Sequence, residues 1–408
     1  MSVPHCRSCS SSELELVINL GTQAWCNNFL EKEDIGKEQT YPLRMLRCKG
    51  CGLCQLDTTV PKEVMFKHHT YVSGTTKSLA NHFYEIAKEN VEQFNLKDGD
   101  VIYDIGGNDG TQLFQYKKLG INSVINIESA TNIARLSYQN GIPTINEFFN
   151  EDCIRPDSMK QVKLINAAGV FFHLEELHSV IKGIKLALQE DGIFVVQFMY
   201  LGDMLEKLSF DGIYHEHLCY YSIDSLMKLL EPYGLNIFDA YHCDIHGGTI
   251  IAKFCNDQYY DKTQRLHDAL KKDSELVNED KLKVFGETIE EWRTNFTKDI
   301  IDLKNSGKKI YAFGAPAKGN TLLTYCGLDN DIIDYVFEVN DMKCGLYTPV
   351  THIPIVKEDH SLVEDDSYII LLSWNFADEI IGKCQDLVDR GVRFILPFGE
   401  CVNAKYSK

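Results

Sequence analysis

The chain has 408 residues, 44% of them hydrophobic and 25% charged, a length that predicts two or three domains and a composition that excludes a disordered chain. No stretch is apolar enough to span a bilayer, which excludes an integral membrane protein of the helical kind. With 41 basic against 59 acidic side chains the net charge is −18, which repels a phosphate backbone and points away from nucleic acid toward a small-molecule substrate.

The first residues, Met1 to Cys6, carry no basic region leading into an apolar run, so no export signal is expected. Fourteen cysteines in so long a chain are therefore expected to be reduced thiols in a cytoplasmic protein. Residues 1–70 read as polar and irregular, too broken to build a core unaided, and something must staple them. Cys6-x-x-Cys9 and Cys48-x-x-Cys51 supply four thiolates in the paired spacing that a tetrahedral zinc ion takes from two tight turns. Cys26 and Cys54 lie nearby at less apt spacing. Four protein ligands leave no open coordination position, so the expected metal is structural.

A helix is predicted over 79–94, followed by a buried strand over 101–105 that enters the glycine-rich turn Asp104-Ile105-Gly106-Gly107-Asn108-Asp109-Gly110. Glycines there let the backbone approach a ligand, as a nucleoside cofactor requires, although the full dinucleotide spacing is absent. Glu128 ends the next predicted strand, 123–127, where a carboxylate can accept from both ribose hydroxyls. Strands at 162–166 and 192–198 and helices at 132–139 and 174–189 complete an alternation that predicts a doubly wound α/β domain. His173 sits near the end of one of these strands, where a satisfied core histidine is the plainer reading.

The densest acid/base cluster is Tyr214-His215-Glu216-His217. A histidine beside a carboxylate can serve as a base near neutral pH, and a tyrosine can donate to a developing oxyanion. The alternatives are a polar surface loop or a metal pair, the latter only if a strand places His215 and His217 on one face. Beyond the glycine turn of His246-Gly247-Gly248 comes a charged helical stretch over 261–305. A second strand-and-glycine unit follows, with strands at 309–313, 335–338, 367–372 and 393–396 and the turn Gly314-Ala315-Pro316-Ala317-Lys318-Gly319-Asn320, so a second α/β domain is predicted.

In this order the motifs resemble one family, the C-methyltransferases that act on nucleotide-linked deoxysugars and add a methyl branch at C-3 of a 4-keto sugar. The similarity extends through Tyr41-Pro42-Leu43, Phe210-Asp211-Gly212-Ile213-Tyr214-His215-Glu216-His217, Tyr221-Ser222 and Thr351-His352-Ile353-Pro354-Ile355. It implies a zinc-binding module over 1–70, a class I Rossmann-like domain for S-adenosylmethionine (SAM) over 71–255, and a C-terminal Rossmann-like domain over 256–408 that helps bind the sugar nucleotide. It also implies a catalytic cleft between the last two, with the sugar near Tyr71, His173, Tyr214, Glu216 and His217. His217 is the expected base, oriented by Glu216, with Tyr214 or Tyr71 near the developing charge; His173, His215 and Tyr214 remain alternatives as the base. Asp104, Gly106, Asn108, Asp109, Gly110 and Glu128 are expected at SAM, and His246, Lys318 and Asn320 at the sugar nucleotide. Gln197 stands where the family pattern has a glutamate, Thr249-Ile250-Ile251 lacks an arginine, and Pro316 enters an alanine-rich loop. An O- or N-methyltransferase of a sugar nucleotide, or a zinc-stapled binding protein without activity, are the rival readings. Nothing in the sequence sets the oligomeric state, and a monomer is the starting expectation.

Overall fold

The computed structural model describes residues 3–66, 72–75, 77–156, 158–257 and 259–398. The zinc module, expected to be irregular, is largely a sheet: β1 (Leu14–Ala24), β2 (Thr40–Cys48) and β3 (Cys54–Leu56) pair antiparallel. Its pattern is short, with Leu43 and Met45 buried and Arg44 between them exposed, which is the period-two signature of a half-buried strand. The sheet gains its fourth strand from far along the chain, residues Cys219–Tyr220, paired with β3. A short helix, α1 (Lys62–Phe66), closes the module.

The central domain runs α2 (Lys77–Phe94), β4 (Val101–Ile105), α3 (Thr111–Lys118), β5 (Val124–Ile127), α4 (Thr131–Gln139), β6 (Thr144–Ile145), β7 (Val162–Ala168), α5 (Leu177–Ala187) and β8 (Leu188–Met199). Then come α6 (Leu201–Lys207), β9 (Cys219–Tyr220, the strand lent to the zinc module), α7 (Ile223–Leu230), β10 (Leu235–Cys243) and β11 (Thr249–Asn256). The seven-stranded sheet has the order β10-β11-β8-β7-β4-β5-β6, parallel from β6 to β8, with β11 antiparallel to both its neighbours. The inner parallel strands β4, β5 and β7 are largely buried on both faces, which is why they read as continuous runs with few charges. The helix expected over 174–189 is shorter, because a 3-10 turn at Phe171–His173 precedes it and β8 already begins at Leu188. The β10–β11 hairpin was hidden in the sequence by Lys253, a fully buried cation in mid-strand. Its ammonium is held by Glu89 at 3.3 Å and Gln93 at 2.6 Å, both on α2.

The charged stretch expected as one helix is two, α8 (Gln264–Leu276) and α9 (Glu279–Asn305). Asn278 divides them: its side chain accepts from the Lys281 N–H at 3.0 Å and caps α9. The last domain contains β12 (Ile310–Phe313), α10 (Ala317–Cys326), β13 (Val336–Glu338), β14 (Ile355–Lys357), β15 (Tyr368–Leu371), α11 (Ala377–Lys383), α12 (Gln385–Asp389) and β16 (Arg393–Ile395). Its sheet is parallel throughout in the order β14-β13-β12-β15-β16, a Rossmann-like arrangement. The zinc module is wedged between the other two parts. Cys6, Cys48 and Leu53 share a buried cluster with Phe172 and Leu218, whereas Ile18, Leu43 and Met45 pack with Phe285, Ile310 and Leu322. Among the described residues no helix is long and apolar enough to cross a membrane.

Candidate active site

Cys6 and Cys9 lie in the turn before β1, Cys48 ends β2 and Cys51 lies in the turn between β2 and β3, so the sheet register itself brings the two pairs together. The four sulfurs all lie within 4.8 Å of one another, with Cys6–Cys51 and Cys9–Cys48 at 3.5 Å. A zinc tetrahedron with bonds of about 2.3 Å has sulfur–sulfur edges of about 3.8 Å, so the four thiols fit the ion. The Cys6–Cys51 hydrogen bond pushes the first thiol up and pulls the second down to about 5. Cys26 and Cys54 are buried outside this group.

The cofactor loop leaves β4 at Ile105 and enters α3 after Gly110. Gly107 is required by close approach, since a Cβ there would sit 2.5 Å from Asn126 Oδ1 and 2.7 Å from the Asp104 carboxyl. Glu128 accepts from the Asn108 N–H at 3.1 Å and the Ala130 N–H at 2.8 Å, fixing the loop from the end of β5. Each carboxylate oxygen accepts more than one bond, so the same group can hold the loop and ribose hydroxyls together. Asp104 is buried with neither carboxyl oxygen partnered among the described residues; burial, then the neighbouring Glu128 charge, push its pKa well up. The side chains of Asn108 and Asp109, expected at the cofactor, also bond the chain before α2. Asn108 Oδ1 accepts from the Ser73 N–H at 2.9 Å and Asp109 Oδ2 from the Gly74 N–H at 3.0 Å. Asp109 Oδ1 also accepts from the Thr111 hydroxyl at 2.6 Å and the Thr111 N–H at 3.2 Å, at the start of α3. A cavity of about 200 Å³ opens here at the carboxyl ends of the strands, lined by Gly106, Asn108, Glu128, Phe149, Val170 and His173.

His173 connects this cavity to the acid/base cluster. The cluster is a turn, with the His217 N–H bonded to Tyr214 O at 2.8 Å, so neither a helix nor a strand sets its side chains. His215 and His217 diverge, which removes the metal-pair alternative. His215 is buried at the zinc module, its Nε2 3.2 Å from Pro42 O and its ring edge-on to Tyr41. The His217 ring centroid lies 3.9 Å from that of Tyr214 and 5.0 Å from that of His173. His217 Nδ1 is 2.8 Å from Gly212 O and His173 Nδ1 2.6 Å from Glu216 O. A carbonyl only accepts, so both Nδ1 atoms carry the proton, and in neutral His217 the basic nitrogen is Nε2. Burial, with the His173 charge second, holds His217 well below its ordinary pKa, and burial pushes Tyr214 well up.

Glu216 does not orient His217, contrary to expectation; the Gly212 carbonyl does. The Glu216 carboxylate accepts from Trp25 Nε1 at 2.5 Å and Asn27 Nδ2 at 2.6 Å, two zinc-module residues that sequence reasoning missed. The one available signal was a tryptophan, of three in the chain, inside a polar segment.

Across the cleft, Lys318 in the first turn of α10 lies 3.9 Å from Asp211 Oδ2 and 3.9 Å over the Trp374 ring, and it hydrogen-bonds Asn375. Burial pulls its pKa down to about 8, the Asp211 charge opposing. Trp374 Nε1 also donates to Asp211 at 2.7 Å, joining the segment from Phe210 to His217 to the C-terminal domain. Asn320, expected at the sugar nucleotide, is buried with its amide donating to Cys26 O at 2.6 Å, so it fastens the zinc module to α10. Gln197 Oε1 accepts from His82 Nε2 at 2.8 Å. Gly248 is dictated by Asp203: a Cβ there would lie 1.4 Å from the Asp203 carboxylate, which bonds His242 at 2.8 Å. Tyr71 and the His246 side chain lie outside the described residues.

A glycine turn after β4, an acidic residue after β5 and an antiparallel strand slotted beside β8 define a SAM-dependent methyltransferase of class I. Three family models tile the chain: a zinc binding domain over residues 6–66, a methyltransferase domain over 79–240 and a C-methyltransferase C-terminal domain over 244–398. The chain is a SAM-dependent methyltransferase assembled from parts similar to these three, with SAM as cofactor and zinc in the cysteine cluster. It is 29% identical over 410 residues to the C-methyltransferase NovU of Streptomyces niveus, covering 98% of this chain and 96% of that one. Solved structures with similarity include a SAM-dependent methyltransferase of Aquifex aeolicus (16% identity, 43% of this chain, 97% of that one, TM-score 0.34). Another, from Clostridium acetobutylicum, shows 12% identity over 44% of this chain and 92% of that one, TM-score 0.35.

Proposed function

We propose that the enzyme methylates the carbon next to the ketone of a nucleotide-linked 4-keto deoxysugar, C-3 being the position the family resemblance implies. The observation that carries this reading is the ring cluster of Tyr214, His217 and His173 reaching the cofactor cavity, with the protonation of both imidazoles fixed by backbone carbonyls. SAM, when bound, supplies an electrophilic methyl group. A C–H bond alpha to a ketone is acidic enough for a positioned imidazole, and burial keeps His217 in the neutral form that accepts the proton at Nε2. The Tyr214 hydroxyl, itself far from ionising, donates toward the oxygen on which charge develops. Glu216 is a positioning residue that holds the turn to the zinc module and, through its carbonyl, holds His173. Lys318 supplies a local cation for the nucleotide phosphates in a chain whose overall charge repels them.

The test is mass spectrometry of products from a panel of 4-keto sugar nucleotides deuterated at the carbon next to the ketone, with loss of that label to solvent followed. A carbon-bound methyl group and washout at that carbon are expected. Methylation at oxygen or nitrogen without washout overturns the reading.

A further inference from the structure

We propose that the C-terminal domain carries a second metal site, formed by Glu358, His360 and Cys384, that takes a zinc-like divalent cation. Far along the chain from the cysteine cluster, these side chains each present one ligand atom, and the three atoms lie within 4.8 Å of one another. His360 Nε2 is 3.0 Å from Glu358 Oε1 and 3.8 Å from Cys384 Sγ. Tetrahedral zinc with nitrogen and oxygen ligands at about 2.0 Å and sulfur at about 2.3 Å has nitrogen–oxygen and nitrogen–sulfur edges of about 3.3 to 3.6 Å. The observed separations bracket those edges.

A second observation is independent of that spacing. Asp386 Oδ2 lies 2.8 Å from His360 Nδ1, the carboxylate–histidine arrangement that fixes which nitrogen faces a metal and raises its basicity. The backbone beneath is also pinned, with Arg390 donating to His360 O at 2.9 Å. The donor set of one thiolate, one imidazole and one carboxylate suits zinc and is poor for magnesium or calcium, which favour oxygen. Three protein ligands leave a fourth position for water. The ligands come from two places: Glu358 and His360 just follow β14, and Cys384 sits at the junction of α11 and α12. An ion there would fasten that helical junction to the outer edge of the C-terminal sheet. The methyltransferase cleft uses none of these residues, so the site acts as a clip on the domain.

The experiment is metal analysis of the full chain after equilibration with zinc and desalting, with calorimetric titration of zinc into protein whose cysteine cluster is already filled. The wild type is expected to hold two zinc ions per chain, and Cys384→Ser and Glu358→Gln one. Glu358 is partly exposed, so its variant folds even if the buried cysteine variant does not. Asp386→Asn should weaken the second site about 10- to 100-fold while keeping its stoichiometry at saturation. A single zinc in the wild type with no second binding event overturns the proposal, as do two zinc ions in Glu358→Gln with unchanged affinity.

Discussion

Replacing His217 by asparagine separates a base from a packing histidine. In the structure Nδ1 donates to Gly212 O at 2.8 Å, and an asparagine amide can make that bond from the same side chain direction. What disappears is the Nε2 lone pair, together with ring contacts to Tyr214 at 3.9 Å and Phe172 at 4.7 Å. Two aromatic contacts at about 0.5 to 1.5 kcal/mol each set a stability loss of roughly 1 to 3 kcal/mol. Loss of general-base catalysis costs about 10²- to 10⁴-fold in turnover, or about 2.7 to 5.5 kcal/mol in the barrier. His217→Asn is therefore expected to bind SAM within a fewfold of wild type by calorimetry, to melt slightly lower, and to lose both methyl transfer and deuterium washout. Activity within a fewfold of wild type would refute the assignment and move it to His173 or Tyr214. The pH dependence follows from the lowered pKa. The unfolded histidine takes its proton at about 6.5 and the folded one only well below, so stability falls as pH drops beneath about 6.5. The variant lacks that proton uptake, and the gap in melting temperature between wild type and variant should narrow on acidification. The acid limb of wild-type kcat/KM should likewise lie below pH 6.5.

Glu128→Ala removes an acceptor of two backbone N–H groups as well as the expected ribose partner, and should weaken SAM by about 10- to 150-fold for one charge-assisted bond; an unchanged Kd places the cofactor elsewhere. Cys48→Ser should lower metal content by one zinc per chain and reduce turnover, checked by elemental analysis beside SAM calorimetry; full zinc content would count against the cysteine cluster. Lys318→Met should raise the KM for the sugar nucleotide roughly tenfold or more with SAM affinity unchanged. In the wild type that KM should rise as pH passes about 8, where the Lys318 ammonium loses its proton.

What the sequence revealed was local. The cysteine pairs come together as their spacing predicts, and the turn from Asp104 to Gly110 and Glu128, each a few neighbouring residues, meet at one cavity. The zinc-module strands were missed because clean alternation is confined to three residues in each, Ile18 to Leu20 in β1 and Leu43 to Met45 in β2, and β11 because Lys253 breaks its apolar run. Side-chain destinations across long separations were not legible. Glu216 meets Trp25 191 positions away, and Asn320 meets Cys26 294 positions away. Asn320 looked like a ligand contact because a polar side chain beside a glycine turn has the same local signature whether it faces solvent, substrate or another domain, and Glu216 looked like a partner of His217 because the two are adjacent in sequence.

The strand that residues Cys219–Tyr220 lend to the zinc module changes how this enzyme can be recombined. Cys54 faces Tyr220 and Gln55 faces Cys219 in that register, and the Leu56 N–H bonds Leu218 O, directly after the acid/base turn. The module and the turn are thus one inheritance unit, although about 150 residues of a seemingly self-contained domain separate them in the gene. A chimera that exchanges the central domain between relatives at its sequence boundaries would join a foreign turn to a mismatched edge strand. Grafts intended to alter substrate choice should carry both segments together.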